Sequence, residues 1–273
     1  MKNEFSIWSA YDIDLSPEDM VLALEDRGMT VSELSDEHGA MLLEREGEPE
    51  AIGAAFRAFA AAHGVRFPQG HLWLQVRLCH EPDETVAVLE RWIRLFGAIG
   101  AMKAVLHCDG VSFPAGTDAE TILDENAKVL KRLAPLAERC GVTLCLENLS
   151  APFDTAERLL SLIEKVGSPA LGITLDTGHL HLFHPGTQEE FILAAGKKLQ
   201  ALHLADNQGQ TDQHMMPFGR GSVDFASVMR GLKAVGYTGL FNYEIPGERD
   251  CPMVLRKAKA EYLDAVTGYL FSL

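Results

Sequence analysis

The sequence predicts an α/β protein built as one parallel (β/α)8 barrel, and two patterns carry that prediction. Eight short apolar or β-branched segments alternate along the chain with eight longer segments of helical periodicity, which is the pattern of repeated βα units. The chain is 273 residues long, a length at which an α/β barrel forms a single domain. We therefore expect residues 1–273 to form one barrel domain.

The predicted elements follow one another in strict alternation. Strands are predicted at residues 5–9, 30–34, 65–74, 104–107, 142–146, 171–175, 202–205 and 240–245. Helices are predicted at residues 17–27, 50–62, 84–99, 118–139, 155–166, 188–198, 225–235 and 253–271. Ser16 and Pro17 are typical of a helix start, and glycines typical of helix ends stand at Gly28, Gly64, Gly100, Gly141, Gly167 and Gly236. No glycine-rich phosphate turn follows the first strand, so an open doubly wound sheet is the weaker alternative.

Composition excludes several classes of function. Lys and Arg number 24 against 39 Asp and Glu, a net charge of −15, which disfavours nucleic acid and anionic membranes as partners. The five cysteines are scattered without a CxxC pair, as expected of buried thiols. The opening MKNEFSIWSAYDIDL lacks the features of a signal peptide, and no apolar run reaches 18 residues, so a cytoplasmic location is expected.

Side chains able to bind metal ions stand at six of the predicted strand ends. They are His71, His107, Glu147, Asp176 with His179, His203 with Asp206, and Glu244. Each alone would suit a helix cap or a packing residue, but the carboxyl ends of barrel strands converge on one mouth. Three carboxylates buried together need a compensating cation. We therefore predict that Glu147, Asp176, His203 and Glu244 bind a divalent metal ion.

Several motifs resemble the xylose isomerase-like TIM-barrel superfamily. They are ENLS at 147–150, LDTGH at 175–179, LHLADN at 202–207, DQHMMPFGRGSVDF at 212–225 and NYEI at 242–245. That superfamily includes sugar and sugar phosphate isomerases and epimerases, related dehydratases and the class-IV apurinic endonucleases. The resemblance implies the same four ligands, with Glu147 and Glu244 also acting as the acid/base pair.

The chemistry of such a site suits proton transfer beside a carbonyl. A carboxylate takes a proton from the carbon next to C=O, and a divalent ion stabilises the enediolate that forms. Three carboxylates and one imidazole are mostly hard ligands, which favour one Mn²⁺, Mg²⁺ or Co²⁺, with Zn²⁺ as a further candidate. We expect a metal-dependent isomerase or epimerase of a small sugar, sugar phosphate or polyol, and a homo-oligomer remains open.

Two other reactions and a non-catalytic role stay open. A dehydratase or lyase of a related polyol or keto acid would use the same proton abstraction. The resemblance also implies that a three-zinc phosphodiesterase could be completed by five further residues, His71, His107, His179, Asp212 and His214; they could equally bind substrate, as could Arg220. Against the endonuclease, Leu149, Ser150 and Ala151 stand where its pattern has a glycine-containing stretch, and no basic DNA-gripping loop occurs early in the chain. A binding module without activity is disfavoured by the intact pair of Glu147 and Glu244.

Overall fold

The barrel is confirmed by a computed structural model, which describes residues 3–247 and 250–273. Its eight strands are β1 (Phe5–Ile7), β2 (Val31–Leu34), β3 (Arg66–His71), β4 (Lys103–His107), β5 (Thr143–Glu147), β6 (Leu171–Asp176), β7 (Leu199–His203) and β8 (Phe241–Tyr243). Strands β2 to β7 form one parallel sheet in chain order, and β1 pairs with β8 in parallel. This order is the one that a barrel of βα units requires.

Two isolated bridges link these sheets into a ring of eight strands. Trp8 pairs with Glu33 between β1 and β2, and Leu204 pairs with Tyr243 between β7 and β8. The Leu204 amide also donates to the Asn242 carbonyl oxygen at 2.8 Å. The carboxyl ends of all eight strands therefore lie at the same mouth.

The helices include all eight of the predicted ones and two more. They are α1 (Pro17–Asp26), α2 (Asp36–Leu43), α3 (Pro49–Ala62), α4 (Pro82–Ile99), α5 (Ala119–Cys140), α6 (Ala156–Val166), α7 (Thr177–Phe183), α8 (Gln188–Ala195), α9 (Phe225–Val235) and α10 (Met253–Ser272). The short helices α2 and α7 were not predicted. Each begins within two residues of the end of its strand, so the sequence there reads as a strand end, and each has a side-chain cap. Ser35 Oγ accepts from the His38 amide at the start of α2, and Asp176 Oδ1 accepts from the His179 amide at the start of α7.

The predicted helix boundaries are close to the observed ones. Ser16 Oγ accepts a hydrogen bond from the Asp19 amide at 3.1 Å, the N-cap that the sequence indicates. Helix α5 ends at Gly141, which has φ 68°, a left-handed conformation that glycine adopts without steric cost. Of the strands, β3 is shorter than predicted, and β7 begins three residues earlier, at Leu199.

Most of the core lies between the strands and the surrounding helices. Inside the barrel, Val105, Cys145 and Ala201 form a separate small cluster. The expectation of buried thiols is confirmed for Cys108 and Cys145 but is wrong for Cys79, Cys140 and Cys251, which are half-buried. Trp73 stacks on Trp92 of α4 with ring centroids 5.7 Å apart, so it serves packing. None of the described helices is both long and apolar enough to cross a membrane.

Candidate metal centre at the mouth of the barrel

The predicted ligands lie around the carboxyl ends of the strands. His71, His107, Glu147, Asp176 and His203 are the last residues of β3 to β7, Glu244 follows β8, His179 lies on α7, and Asp212 and His214 lie in the loop between β7 and α9. These nine residues form three groups. Within each group, the possible ligand atoms lie within 4.8 Å of one another.

The first group is the predicted tetrad of Glu147, Asp176, His203 and Glu244, and all four side chains are buried. His203 Nδ1 lies 3.1 Å from Glu147 Oε1 and 3.0 Å from Glu244 Oε2. The possible ligand atoms of all four residues thus lie within 4.8 Å of one another, close enough for one ion to contact them together.

Two carboxylate oxygens of the tetrad indicate that a cation fits there. Within residues 3–247 and 250–273, Asp176 Oδ2 and Glu244 Oε2 are buried and accept no hydrogen bond. Glu244 Oε2 lies close to His203 Nδ1 but outside hydrogen-bonding geometry. A buried carboxylate oxygen without a donor is costly, and a divalent ion would compensate it.

The second group, which shares Glu147, adds His71 and His107. Glu147 Oε2 lies 3.0 Å from His107 Nε2 and 3.6 Å from His71 Nε2. His71 Nδ1 donates to the Leu72 carbonyl oxygen at 2.7 Å, so in the neutral ring Nε2 keeps its lone pair. That Nε2 is buried and has no hydrogen-bond partner among the described residues, as expected of a metal or substrate contact.

The third group joins Asp212 to His179 and His214. Asp212 Oδ2 lies 3.2 Å from His179 Nε2 and 3.1 Å from His214 Nε2. The Nδ1 atoms of the two rings face backbone carbonyl oxygens, that of Asn148 at 3.1 Å for His179 and that of Glu244 at 2.9 Å for His214. These contacts orient both Nε2 atoms toward Asp212.

A family model described as Xylose isomerase-like TIM barrel matches residues 22–267, most of the chain. The chain belongs to this family.

Several relatives within the family are named for sugar chemistry. A putative L-ribulose-5-phosphate 3-epimerase of Haemophilus influenzae is 31% identical over 193 residues, covering 68% of this chain and 64% of that protein. An inosose isomerase of Bacillus subtilis is 26% identical over 147 residues, covering 50% and 52%. The chain spans about half the length of most of the curated relatives it matches.

Solved structures of low sequence identity share the fold. A crystal structure of D-psicose 3-epimerase in the presence of D-fructose superposes with a TM-score of 0.80 at 16% identity, covering 98% of this chain and 99% of that one. The agreement over the whole chain supports the barrel architecture.

Histidine protons balance the carboxylates of the mouth. Burial alone would lower the pKa of His71, but the neighbouring Glu147 carboxylate outweighs it and raises the pKa to about 9. Burial opposes the shift at His214 too, where the hydrogen bond to Asp212 and the charge of Glu244 raise the pKa to about 10. A bound cation would compete with these protons.

The carboxylates respond to the same charges. Burial would raise the pKa of Glu244, but the positive charge and contact of His203 lower it to about 2. Asp176 behaves differently, because burial dominates and raises its pKa to about 7. Of the two carboxyls, Asp176 is therefore the one whose charge depends most on a cation.

Arg220 lies outside the three groups. It is exposed and lines a cavity of about 510 Å³ beside His214, together with Tyr11 and Lys259. The structure thus separates Arg220 from the ligand cluster but leaves it at a neighbouring opening.

One residue of the site was not recognised from the sequence, and one candidate at a strand end lies outside the ligand groups. Glu33 on β2 is fully buried and contacts His203 Nε2 through both carboxylate oxygens, at 3.0 and 3.1 Å. The available signal was a charged residue inside a buried strand. Asp206 was noticed at a strand end, but it holds the loop after β7: its Oδ1 accepts from the Val223 amide at 2.9 Å.

Proposed function

We propose that the protein is a divalent-metal-dependent isomerase or epimerase of a sugar, sugar phosphate or polyol. The observation that carries this proposal is the pair of carboxylates Glu147 and Glu244, one on β5 and one after β8, inside the same group of four possible ligands. The sugar epimerases and isomerases among the relatives support the substrate class.

The tetrad would hold one divalent ion. Its three carboxylates and one imidazole favour Mn²⁺, Mg²⁺ or Co²⁺, and Zn²⁺ is also compatible. When bound, such an ion withdraws electron density from the carbonyl and hydroxyl oxygens of a substrate, which makes the neighbouring C–H more acidic.

The protein's own groups would move the proton. His203 and the other histidines hold the pKa of Glu147 well below its usual range despite burial, and the pKa of Glu244 is about 2. Both are therefore carboxylates at neutral pH, and either can accept the proton from the carbon beside the carbonyl. In epimerisation the second carboxyl group, carrying a proton taken up from solvent, gives that proton to the opposite face of the carbon, and the first releases to solvent the proton it accepted.

The remaining histidines suit substrate binding. His71 and His107 lie on one side of Glu147, and His179 and His214 lie around Asp212. Imidazole and carboxylate groups can bond to several sugar hydroxyls, and each such hydrogen bond fixes part of the substrate's orientation.

Proton exchange in D₂O tests this function. We expect deuterium to enter the carbon beside the carbonyl of at least one ketose, ketose phosphate or inosose when Mn²⁺, Co²⁺ or Mg²⁺ is present. Glu147→Gln and Glu244→Gln should each lower the rate by about 10²- to 10⁴-fold, because each removes a base and an anionic ligand. Glu189→Gln removes only an exposed ion pair with Arg230 and serves as the matched control. Full exchange activity in either active-site variant would refute the acid/base assignment, and a product lacking the elements of water would identify a dehydratase.

A phosphodiesterase is the second candidate function. The second and third ligand groups, His71 with His107 and Glu147, and His179 with Asp212 and His214, favour it. Three neighbouring sets of ligands could hold up to three ions, and a set of three Zn²⁺ could activate a hydroxide against a phosphodiester. Incubation of the zinc-loaded protein with a duplex containing an abasic site tests this alternative. Enzyme-like cleavage of that duplex would replace the isomerase proposal.

A further inference from the structure

We infer that Glu33 positions His203 for metal binding by fixing which ring nitrogen carries the proton. This inference deepens the proposed function, because it rests on the tetrad as a metal site. Glu33 lies on β2 inside the barrel, its side chain is fully buried, and it is not itself a member of any of the three ligand groups.

The carboxylate of Glu33 is surrounded by donors. His203 Nε2 lies 3.0 Å from Oε1 and 3.1 Å from Oε2. Gln69 Nε2 donates to Oε2 at 2.6 Å, and Asn242 Nδ2 donates to the same oxygen. An ionised carboxylate only accepts hydrogen bonds, so this environment requires His203 Nε2 to be a donor.

The other ring nitrogen then faces the tetrad with a lone pair. In a neutral imidazole whose Nε2 carries the proton, Nδ1 is an acceptor. That Nδ1 lies about as close to Glu147 Oε1 as to Glu244 Oε2, at 3.1 and 3.0 Å. With the ring neutral, that lone pair and the two carboxylates facing it repel unless a cation lies between them, either a proton shared by Nδ1 and Glu147 Oε1 or a metal ion that replaces that proton. A Glu33–His203 pair is thus an outer carboxylate that orients a histidine ligand.

The neighbouring amides make a carboxylate necessary at position 33. Asn242 Oδ1 accepts from Ser6 Oγ at 2.8 Å, which directs the Asn242 NH₂ group toward Glu33. In Glu33→Gln, the new side-chain amide has two orientations. Its NH₂ group faces either the NH₂ groups of Asn242 and Gln69, which are also donors, or the ring of His203. In the second case His203 has to accept at Nε2 and carry its proton on Nδ1, where it blocks the ligand position.

The test measures Mn²⁺ and Co²⁺ affinity by calorimetry in the full-length protein. We expect Glu33→Gln to bind about 10- to 100-fold more weakly than the parent, the usual range for loss of an outer-shell partner. Tyr243→Phe is the matched control: it removes a buried hydrogen bond to Thr267 at 2.9 Å and leaves His203 alone. Its metal affinity should stay within about twofold of the parent, within the scatter expected where no outer-shell partner is lost. An unchanged Kd in a folded Glu33→Gln variant would overturn the inference.

A second readout needs no variant. Nitrogen-15 chemical shifts of the parent loaded with a diamagnetic divalent ion report which nitrogen of His203 carries the proton. We expect a protonated Nε2 and a metal-bound Nδ1; a protonated Nδ1 would overturn the inference even if Glu33→Gln did not fold. A parent that binds metal with this tautomer but exchanges no sugar proton would refute the proposed function alone. A parent that binds no divalent ion would refute both.

Discussion

At the scale of single residues, Glu147 contacts histidines from several elements of the candidate site. One of its oxygens lies 3.1 Å from His203 Nδ1 and 3.4 Å from His179 Nδ1, and the other lies 3.0 Å from His107 Nε2. It belongs to two of the three ligand groups. Its charge therefore favours the protonated form of His107 on β4, His203 on β7 and His179 on α7, although at His107 burial outweighs it and lowers the pKa.

Removing Asp212 and His214 together separates metal binding from substrate binding. We expect Asp212→Ala with His214→Ala to retain one tightly bound ion on the tetrad, because neither residue belongs to that group. Turnover should fall through lost hydrogen bonds to the substrate, each worth about 1 to 3 kcal/mol. Metal content and kcat/KM, measured on the same samples, check this. A parent that holds more ions than the variant would assign the pair to a second ion instead.

At the scale of elements, the residues at the strand ends could be predicted from the sequence. The side-chain contacts between strands, and the short helix α7, could not. The positions of the candidate ligands follow from the apolar segments, because a barrel brings every strand's carboxyl end to one mouth. Glu33 was not predicted as a site residue because its place in the site depends on a contact with His203, which is 170 residues away in the chain. Helix α7 was not predicted because its N-cap residue, Asp176, was interpreted only as a candidate metal ligand at the end of β6.

The loop between β7 and α9 depends on a close approach that only glycine allows. A Cβ atom at Gly221 would fall 2.1 Å from Asp206 Oδ1, which accepts from the Val223 amide. We expect Gly221→Ala to lower the free energy of unfolding by about 1 to 3 kcal/mol through overpacking, and to weaken activity by displacing Asp212 and His214. Gly219→Ala is the matched control, since its Cβ would meet only the Met216 carbonyl oxygen, at 3.4 Å. Equal melting temperatures for the two variants would contradict this account of the loop.

At the scale of the whole molecule, we expect the stability to depend on both pH and bound metal, because buried carboxylates and histidines crowd the mouth of the barrel. In the chelated protein, His71 and His214 have pKa values of about 9 and 10, above the value of about 6.5 in an unfolded chain. Their contribution is complete below about pH 6.5 and is lost as the pH rises through 9 and 10.

We therefore expect the melting temperature of the chelated protein to fall between about pH 6.5 and 10, the interval bounded by the unfolded and folded pKa values. Bound Mn²⁺ should oppose this fall, and at a free concentration of about 100 times Kd it adds about 2.7 kcal/mol. Calorimetric scans with and without chelator over this pH range measure the difference. A chelated protein whose melting temperature equals that of the Mn²⁺-loaded protein at every pH would contradict a metal site in the mouth.

The most direct test of the central claim is the metal content of the protein purified without chelator and reconstituted by dialysis. We expect one Mn, Mg or Co ion per chain, lost in Asp176→Asn, because Asp176 supplies a buried oxygen with no other partner among the described residues. A protein that retains no divalent ion would contradict the metal-dependent isomerase, and about three Zn ions per chain would favour the phosphodiesterase.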